Sequence, residues 1–146
     1  MKSNPWLVLG GLLSAAAALL HLAVIAGGPD WYRFFGAGEE MARMAEEGRL
    51  TPHLITFGIA AVLAAWAAYA FAGAGLIRRL PLMRTALVAI TAIYLLRGLA
   101  IVPALLQEPA AGDSFAIWSS LIVLVYGIAY AIGTWRAWSA LSRKSA

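Results

Sequence analysis

Arg97 is the residue in this sequence that most clearly suggests a chemical role, because it is a charged residue inside an apolar stretch. Between residues 85 and 106 it is the only charged residue. A guanidinium at the centre of a bilayer costs about 2.5–3.5 kcal/mol on insertion scales, and less near the surface. Arg97 therefore needs a partner, either an anionic ligand or a loop carboxylate. The candidate carboxylates are Asp30, Glu39, Glu40, Glu108 and Asp113. The purely structural alternatives are a side chain that reaches the membrane surface and an ion pair with Glu39 or Glu40.

The two histidines, His21 and His53, could also carry chemistry. Both are expected at the outer ends of adjacent antiparallel helices, so their rings could approach each other. Facing imidazoles could bind haem, a metal ion could be held with Glu39 or Asp30, or one histidine could transfer a proton. The spacing is diagnostic of none of these, and hydrogen bonds to loop backbone are the structural alternative. The cofactor is therefore unknown, with haem or metal through His21 and His53 as a hypothesis, and no metal site is predicted.

Aromatic and acidic side chains are expected to surround these residues. Tyr94 lies one turn before Arg97, and Trp31, Tyr32 and Trp118 are expected at the same depth. A polar pocket between the helices of a bundle is a common place for a ligand. No catalytic residue is assigned. The predicted ligand-binding residues are His21, Trp31, Tyr32, Glu39, Glu40, His53, Tyr94, Arg97 and Trp118.

Four long apolar stretches must position these side chains. They cover residues 6–26, 53–74, 81–106 and 115–135. At a rise of about 1.5 Å per residue, each is long enough to cross a hydrocarbon core of about 30 Å. Hydrophobic residues make up 62% of the chain, more than a soluble domain of this size can bury. The sequence predicts an all-α membrane protein, a single domain of four transmembrane helices in an up-down-up-down bundle.

The connection between the first two spans, residues 27–52, is long enough to hold structure of its own. Met41, Met44 and Ala45 share one helical face, and Glu39 and Arg43 stand at i,i+4 spacing. We expect a short amphipathic helix over residues 39–47 in this first outer loop. It would lie on the outer membrane surface or cover the bundle as a lid, and a solvated connecting helix is the alternative.

Several residues predict how the spans bend and meet. Pro103 lacks an N–H donor and should bend or end the third helix. Small residues recur at helical spacing in the second span and indicate a close contact, within the chain or with another copy. They are Ala61, Ala65, Ala68 and Ala72. The fourth span carries hydroxyl groups expected to form interhelical hydrogen bonds, with a polar pathway as the alternative. They belong to Ser119, Tyr126, Tyr130 and Thr134.

Lys and Arg occur at both chain ends and around the turn after the second span. Because cationic side chains resist translocation, both termini are expected in the cytoplasm and both acidic loops outside. The expected location is a cell membrane of the bacterial inner-membrane type. The expected partners are the lipid bilayer and a homo-oligomer or larger membrane complex. The basic residues form no aromatic-interleaved patch, which argues against nucleic acid. The absence of cysteine excludes thiol chemistry.

Three functions are consistent with these features. The leading hypothesis is a small integral membrane protein that binds an amphipathic or anionic small molecule or lipid in an outward-facing cavity between helices. The second is an accessory or structural subunit of a larger membrane complex. The third is a membrane enzyme, with His21 or His53 as the base and Arg97 stabilising developing negative charge.

Overall fold

The computed structural model of the chain describes residues 3–107 and 114–142. These residues form helices and contain no strand. The helices are α1 (Pro5–Gly27), α2 (Pro29–Phe34), α3 (Glu39–Glu46), α4 (Thr51–Gly73), α5 (Met83–Leu99), α6 (Ile101–Gln107) and α7 (Ser114–Leu141). Four helical stretches in this part of the chain are long and apolar enough to cross a membrane. The all-α class with four candidate spans is therefore confirmed, whereas the up-down order stays a prediction.

The predicted third span is divided into two helices. Helix α5 ends at Leu99, Ala100 forms a turn, and α6 begins at Ile101. The cause is Pro103, whose ring clashes with the carbonyl four residues earlier, at Leu99, and which cannot donate to it. The prediction that Pro103 bends or ends the third helix is confirmed as an interruption of that helix. At the other end of the chain, α7 continues to Leu141, six residues beyond the predicted limit at residue 135.

The chain divides into two compact units by its internal contacts. Unit 1 comprises Met1–Ser14 and Trp66–Ala146, and unit 2 comprises Ala15–Ala65. Each unit therefore contains parts of helices α1 and α4. Unit 1 also contains α5, α6 and α7, whereas unit 2 contains α2 and α3.

A buried hydroxyl network lies inside unit 1 and consists of Ser14, Tyr94, Tyr130 and the backbone carbonyl of Trp66. The Ser14 Oγ atom lies 2.8 Å from both tyrosine hydroxyls, and the Tyr130 hydroxyl lies 3.0 Å from the Trp66 carbonyl. Because a carbonyl only accepts, Tyr130 must donate to Trp66, Ser14 to Tyr130, and Tyr94 to Ser14. The network joins α1, α4, α5 and α7, and the direction of its three hydrogen bonds is fixed.

Glycines allow α5 and α7 to approach closely. A Cβ atom at Gly98 would lie 2.9 Å from the Cα atom of Leu124, and one at Gly127 would lie 2.7 Å from the Leu95 side chain. Real Cβ atoms essentially never come so near, so a larger residue at Gly98 would push the backbones apart. Small residues at such contacts permit the dense packing that holds helices together in lipid.

The hydroxyl residues of α7 take part in both interhelical and local contacts. Tyr130 belongs to the hydroxyl network, and the Tyr126 ring packs edge-on against Tyr94 at 5.4 Å. Ser119 donates instead to a carbonyl of its own helix, and Thr134 is buried. Interhelical hydrogen bonding is therefore confirmed at Tyr130 but not at Ser119, and the buried Thr134 hydroxyl has no hydrogen-bond partner among the described residues.

The alanines predicted to mark a close helix contact differ in exposure. Ala72 is buried, whereas Ala61 and Ala65 are exposed on the surface of the chain. The buried alanines of α4 also include Ala67 and Ala70, which the prediction missed. Sequence spacing predicted that α4 carries small residues along one face. It did not predict how α4 is rotated about its axis, which decides which alanines are buried.

Unit 2 has its own small core at the junction of α1, α2 and α3. Tyr32 and Ala42 are fully buried together with Val24. Partly buried apolar side chains pack around these three residues, namely Phe35, Met41 and Ala45. The predicted helix over residues 39–47 is present as α3, and its apolar face lies against this core. The preceding helix α2 was not predicted.

An ion cluster of Arg33, Asp30, Glu39 and Glu46 fastens α2 to α3. The Arg33 guanidinium binds both oxygens of Glu39 at 2.8 and 2.9 Å, and it reaches Glu46 at 2.7 Å and Asp30 at 3.3 Å. Hydrogen bonds from Arg33 lower the pKa of the Glu39 carboxyl below its ordinary value. Hydrogen bonds to Glu39 and Glu46 raise the pKa of Arg33 in turn. Because Arg33 carries one charge against three carboxylates, the cluster is net negative.

The predicted pair between Glu39 and Arg43 is wrong. Arg43 binds Glu40 at 2.7 Å and Glu47 at 3.4 Å, both within or directly after α3. Glu39 is the first residue of α3 and binds Arg33 on α2 instead. Spacing along one helix could not reveal this partner, because Arg33 lies on a different helix.

Replacing Ser14 by alanine should destabilise the protein more than replacing Tyr130 by phenylalanine. Without Ser14, the buried Tyr94 hydroxyl loses its acceptor, and an unsatisfied buried group costs about 1–3 kcal/mol. In Tyr130→Phe, Ser14 still accepts from Tyr94, and its own hydroxyl can donate instead to the carbonyl four residues earlier in α1. The loss should therefore be close to the average of about 0.6 kcal/mol for interhelical bonds in membranes. Unfolding in mixed micelles, followed by helical circular dichroism, measures both. Ser119→Ala is the matched control and should change little; a loss equal to that of Ser14→Ala would contradict the assignment.

Replacing Arg33 by glutamine should loosen α2 and α3 while leaving the long spans unchanged. The variant removes the group that connects the two short helices, so their backbone amides should exchange with deuterium faster. Peptide-resolved hydrogen exchange in detergent measures this change. Arg43→Gln is the matched control, because Arg43 pairs only around α3. Equal effects of the two variants would show that Arg33 does not hold the helices together.

Acid should also release this contact, but only at low pH. Because the pKa of Glu39 is lowered in the folded chain, its stabilising contribution is complete above its unfolded pKa of about 4.3 and is lost as the pH falls through the lower folded pKa. Protection of α2 and α3, corrected for intrinsic exchange rates, should stay constant from pH 8 to 5 and then decrease. The Arg33→Gln variant should lack this step. A loss between pH 7 and 6 would indicate a histidine instead.

Candidate functional site

The residues predicted to form one ligand site belong to both units. Unit 1 contains Tyr94, Arg97 and Trp118. Unit 2 contains the remaining six, His21, Trp31, Tyr32, Glu39, Glu40 and His53. A common cavity for all nine residues stays a prediction, and the geometry within each unit decides what its residues can do.

Arg97 lies in the last turn of α5, and its side chain is exposed. Its Nη1 atom donates a hydrogen bond to the buried Ser120 hydroxyl on α7 at 3.2 Å. The close approach of Gly98 to Leu124 explains this contact, because Ser120 lies one turn before Leu124 on α7. The α5–α7 packing thus places one hydroxyl against a guanidinium that has five N–H donors.

The carboxylates expected near Arg97 are engaged elsewhere or lie outside the described residues. Glu39 binds Arg33 and Glu40 binds Arg43. The described residues of unit 1 contain no Asp or Glu at all, and Glu108 and Asp113 lie outside the described part. Within that part of unit 1, the charge of Arg97 is therefore not balanced by a carboxylate.

Tyr94 and Trp118 differ in their surroundings. Tyr94 is buried in the hydroxyl network, where it donates to Ser14 and packs edge-on against Trp66 at 4.9 Å. Trp118 is exposed on α7, two residues before Ser120. Tyr94 thus contributes to the core one turn from Arg97, and Trp118 has the exposure expected of an aromatic residue at a membrane interface.

The two histidines of unit 2 make the same backbone contact. The Nδ1 atom of His21 lies 2.7 Å from the Ala17 carbonyl, and that of His53 lies 3.3 Å from the Arg49 carbonyl. Because a carbonyl only accepts, Nδ1 carries the proton in each ring, and a neutral ring then has its lone pair on Nε2. In the part of the chain that the structure describes, no group of three or more His, Asp or Glu side chains could hold a metal ion.

Tyr32, another residue of the predicted set, has a buried hydroxyl in the core of unit 2. Its side chain is fully buried, and its hydroxyl meets no hydrogen-bond partner among the described residues. The His53 ring stands edge-on to it, with ring centroids 6.0 Å apart and planes at 88°. Trp31, the preceding residue, is exposed and packs against Phe35 at 5.6 Å.

The set of site residues predicted from the sequence omitted two serines that contact its members in the structure. Ser14 accepts from Tyr94 in the network, and Ser120 accepts from Arg97. Ser14 is the one hydroxyl residue between residues 6 and 20, and a single hydroxyl in an apolar span is a usable signal because lipid cannot satisfy it. No comparable signal separates Ser120 from Ser119, because only the rotation of α7 distinguishes them.

Comparison with known proteins gives no further information about this site. No protein-family model matches the sequence, and no curated protein or solved structure is significantly similar to it.

Proposed function

We propose that this protein binds an anionic amphipathic molecule at Arg97, where α5 and α7 meet. One observation carries the proposal: an exposed guanidinium near the end of an apolar span has a serine hydroxyl as its partner, in a unit whose described residues include no carboxylate. A charged residue inside a membrane span is commonly functional, because placing it there without a role is costly.

The contact with Ser120 orients Arg97 for recognition of an anion. It uses one N–H group of Nη1, and the remaining donors form the planar arrangement that binds phosphate or carboxylate through two parallel hydrogen bonds. The carbonyl end of α5 adds a partial negative charge, which stabilises the guanidinium before a ligand binds. The Ser120 hydroxyl and the carbonyl end of α5 together lower the free-energy cost of placing an arginine here. They do not neutralise its charge.

The surroundings of Arg97 suit the apolar part of such a molecule. Leu96 and Leu99 flank it in the chain and are exposed, as are Val102 and Leu106 on α6. These side chains offer an acyl chain apolar contact beside the charged group. An anionic head on a hydrocarbon tail therefore fits this region better than a small inorganic anion does.

The proposed location is a bacterial-type inner membrane with both termini in the cytoplasm. The four candidate spans support a multi-pass protein. Arg78, Arg79, Arg84 and Arg136 lie at the span ends that the distribution of positive charge assigns to the cytoplasm. On that assignment Arg97 lies toward the outer side, so the ligand would be a component of the outer leaflet or a molecule arriving from outside.

Native mass spectrometry of the detergent-purified protein tests the proposal. We expect phosphatidylglycerol to bind more tightly than phosphatidylcholine of the same chain length. Arg97→Gln should weaken phosphatidylglycerol binding about tenfold or more, the range for charge-assisted hydrogen bonds. Arg97→Lys should bind with intermediate affinity, because lysine retains the charge but loses the planar donor pair.

Arg136→Gln is the matched control for this experiment. It removes the same charge from the same unit, sixteen residues after Ser120 and therefore about 24 Å further along α7. Its affinity for phosphatidylglycerol should equal that of the wild type. Equal losses in the two glutamine variants would reduce the effect to general electrostatic attraction. A wild type without lipid preference would favour the accessory-subunit hypothesis.

A further inference from the structure

The Tyr32 hydroxyl in unit 2 is a buried donor whose partner is not among the described residues. The side chain is fully buried between α1, α2 and α3, with Val24 and Ala42 in the same core. Buried hydroxyl groups in native proteins are nearly always hydrogen-bonded, because desolvation without a bond is unfavourable. Phenylalanine would fill the same space without that cost, so the hydroxyl indicates an interaction beyond packing.

His53 supplies a second polar atom beside Tyr32. Its ring lies edge-on to the tyrosine with the centroids 6.0 Å apart, and its Nδ1 proton is donated to the Arg49 carbonyl. In the neutral ring, Nε2 is then an acceptor. Tyr32 thus offers a donor and His53 an acceptor within one neighbourhood.

Apolar side chains form part of the surroundings of Tyr32. Phe35, Met41 and Ala45 pack against the core that contains it, and methionine adapts readily to ligands of irregular shape. The Arg33 ion cluster, directly adjacent in the chain, fastens α2 to α3 and keeps Tyr32 and Ala42 packed together. The place therefore combines one donor, one acceptor and an apolar wall.

We infer that Tyr32 and His53 recognise the hydroxyl group of an apolar alcohol or phenol. Only an oxygen that both accepts and donates satisfies both residues: it accepts from the Tyr32 hydroxyl and donates to His53 Nε2. A ketone or ether oxygen could satisfy Tyr32 but would leave His53 without a donor. The apolar side chains around Tyr32 would contact the hydrocarbon body. This inference does not rest on the proposed anion site, because all of its residues belong to unit 2.

A matched pair of probes tests the requirement for a ligand hydroxyl. The probes are 2-naphthol, whose hydroxyl accepts and donates, and 2-methoxynaphthalene, whose oxygen only accepts. Equilibrium binding to the full chain in detergent is measured for the wild type and for Tyr32→Phe, so that partition into micelles cancels. We expect 2-naphthol to bind the wild type about tenfold more tightly than the variant, the usual effect of losing one buried hydrogen bond. The methoxy compound cannot donate to His53, so its affinity should be the same for the wild type and for His53→Phe, a comparison in which partition again cancels.

Three further variants make the result specific. His53→Phe keeps a ring beside Tyr32 but removes the acceptor, and it should also weaken 2-naphthol binding about tenfold. Tyr69→Phe makes the same chemical change in unit 1 and should bind like the wild type. Arg97→Gln should leave 2-naphthol binding unchanged even if it abolishes lipid binding, so failure of either proposal can be recognised separately.

The thermal midpoint of Tyr32→Phe distinguishes ligand recognition from a structural role. The variant removes a hydroxyl that has no described partner, so the ligand-free midpoint should stay the same or rise. A fall of several degrees would show that the hydroxyl stabilises the fold and would overturn the inference. Equal affinity of wild type and Tyr32→Phe for 2-naphthol would overturn it as well.

Discussion

The hydroxyl of Ser14 fixes the arrangement on which unit 1 depends. It is the middle member of a chain of donors that begins at Tyr94 and ends at the backbone carbonyl of Trp66. Lipid offers these groups no partners, so a hydroxyl in a span is stabilised most by a partner inside the protein. Sliding or rotating α1, α5 or α7 by a residue would separate a buried donor from its acceptor, whereas α4 contributes a backbone carbonyl. The network therefore defines the register of the helices, including the depth at which α5 presents Arg97, one turn from Tyr94.

The magnitude of these bonds indicates that the network specifies the fold more than it stabilises it. At about 0.6 kcal/mol for each interhelical bond, three bonds contribute about 2 kcal/mol. Most of the attraction between helices in lipid must come from close packing, because the hydrophobic effect does not distinguish a neighbouring helix from an acyl chain. Gly98 and Gly127 provide that packing along α5 and α7. The hydroxyl network adds a directional constraint to this packing, because each donor must meet an acceptor.

The sequence predicted the features that depend on neighbouring residues along the chain. Hydrophobic length identified the four spans, Pro103 predicted the break after Leu99, and apolar periodicity located α3. It did not predict partners that depend on how one helix is rotated against another. Glu39 was paired by spacing with Arg43, but its partner Arg33 lies on a helix that is only six residues long and has little periodicity to detect. Periodicity finds the face of a helix, whereas the partner of a side chain depends on tertiary geometry.

The arginines of unit 1 differ in the groups that their side chains contact. Arg84 donates to the Trp138 carbonyl at 2.9 Å and lies over the Trp138 ring at 4.3 Å, and Arg79 donates to the Ala140 carbonyl. Both satisfy carbonyl groups that the last turn of α7 leaves without intrahelical partners, and both complement the negative end of its dipole. Arg97 has no such position at another helix end, and its described partner is the neutral hydroxyl of Ser120. Arginine thus completes the backbone of α7 at one place, whereas at Arg97 the described residues of unit 1 supply a hydroxyl and no carboxylate.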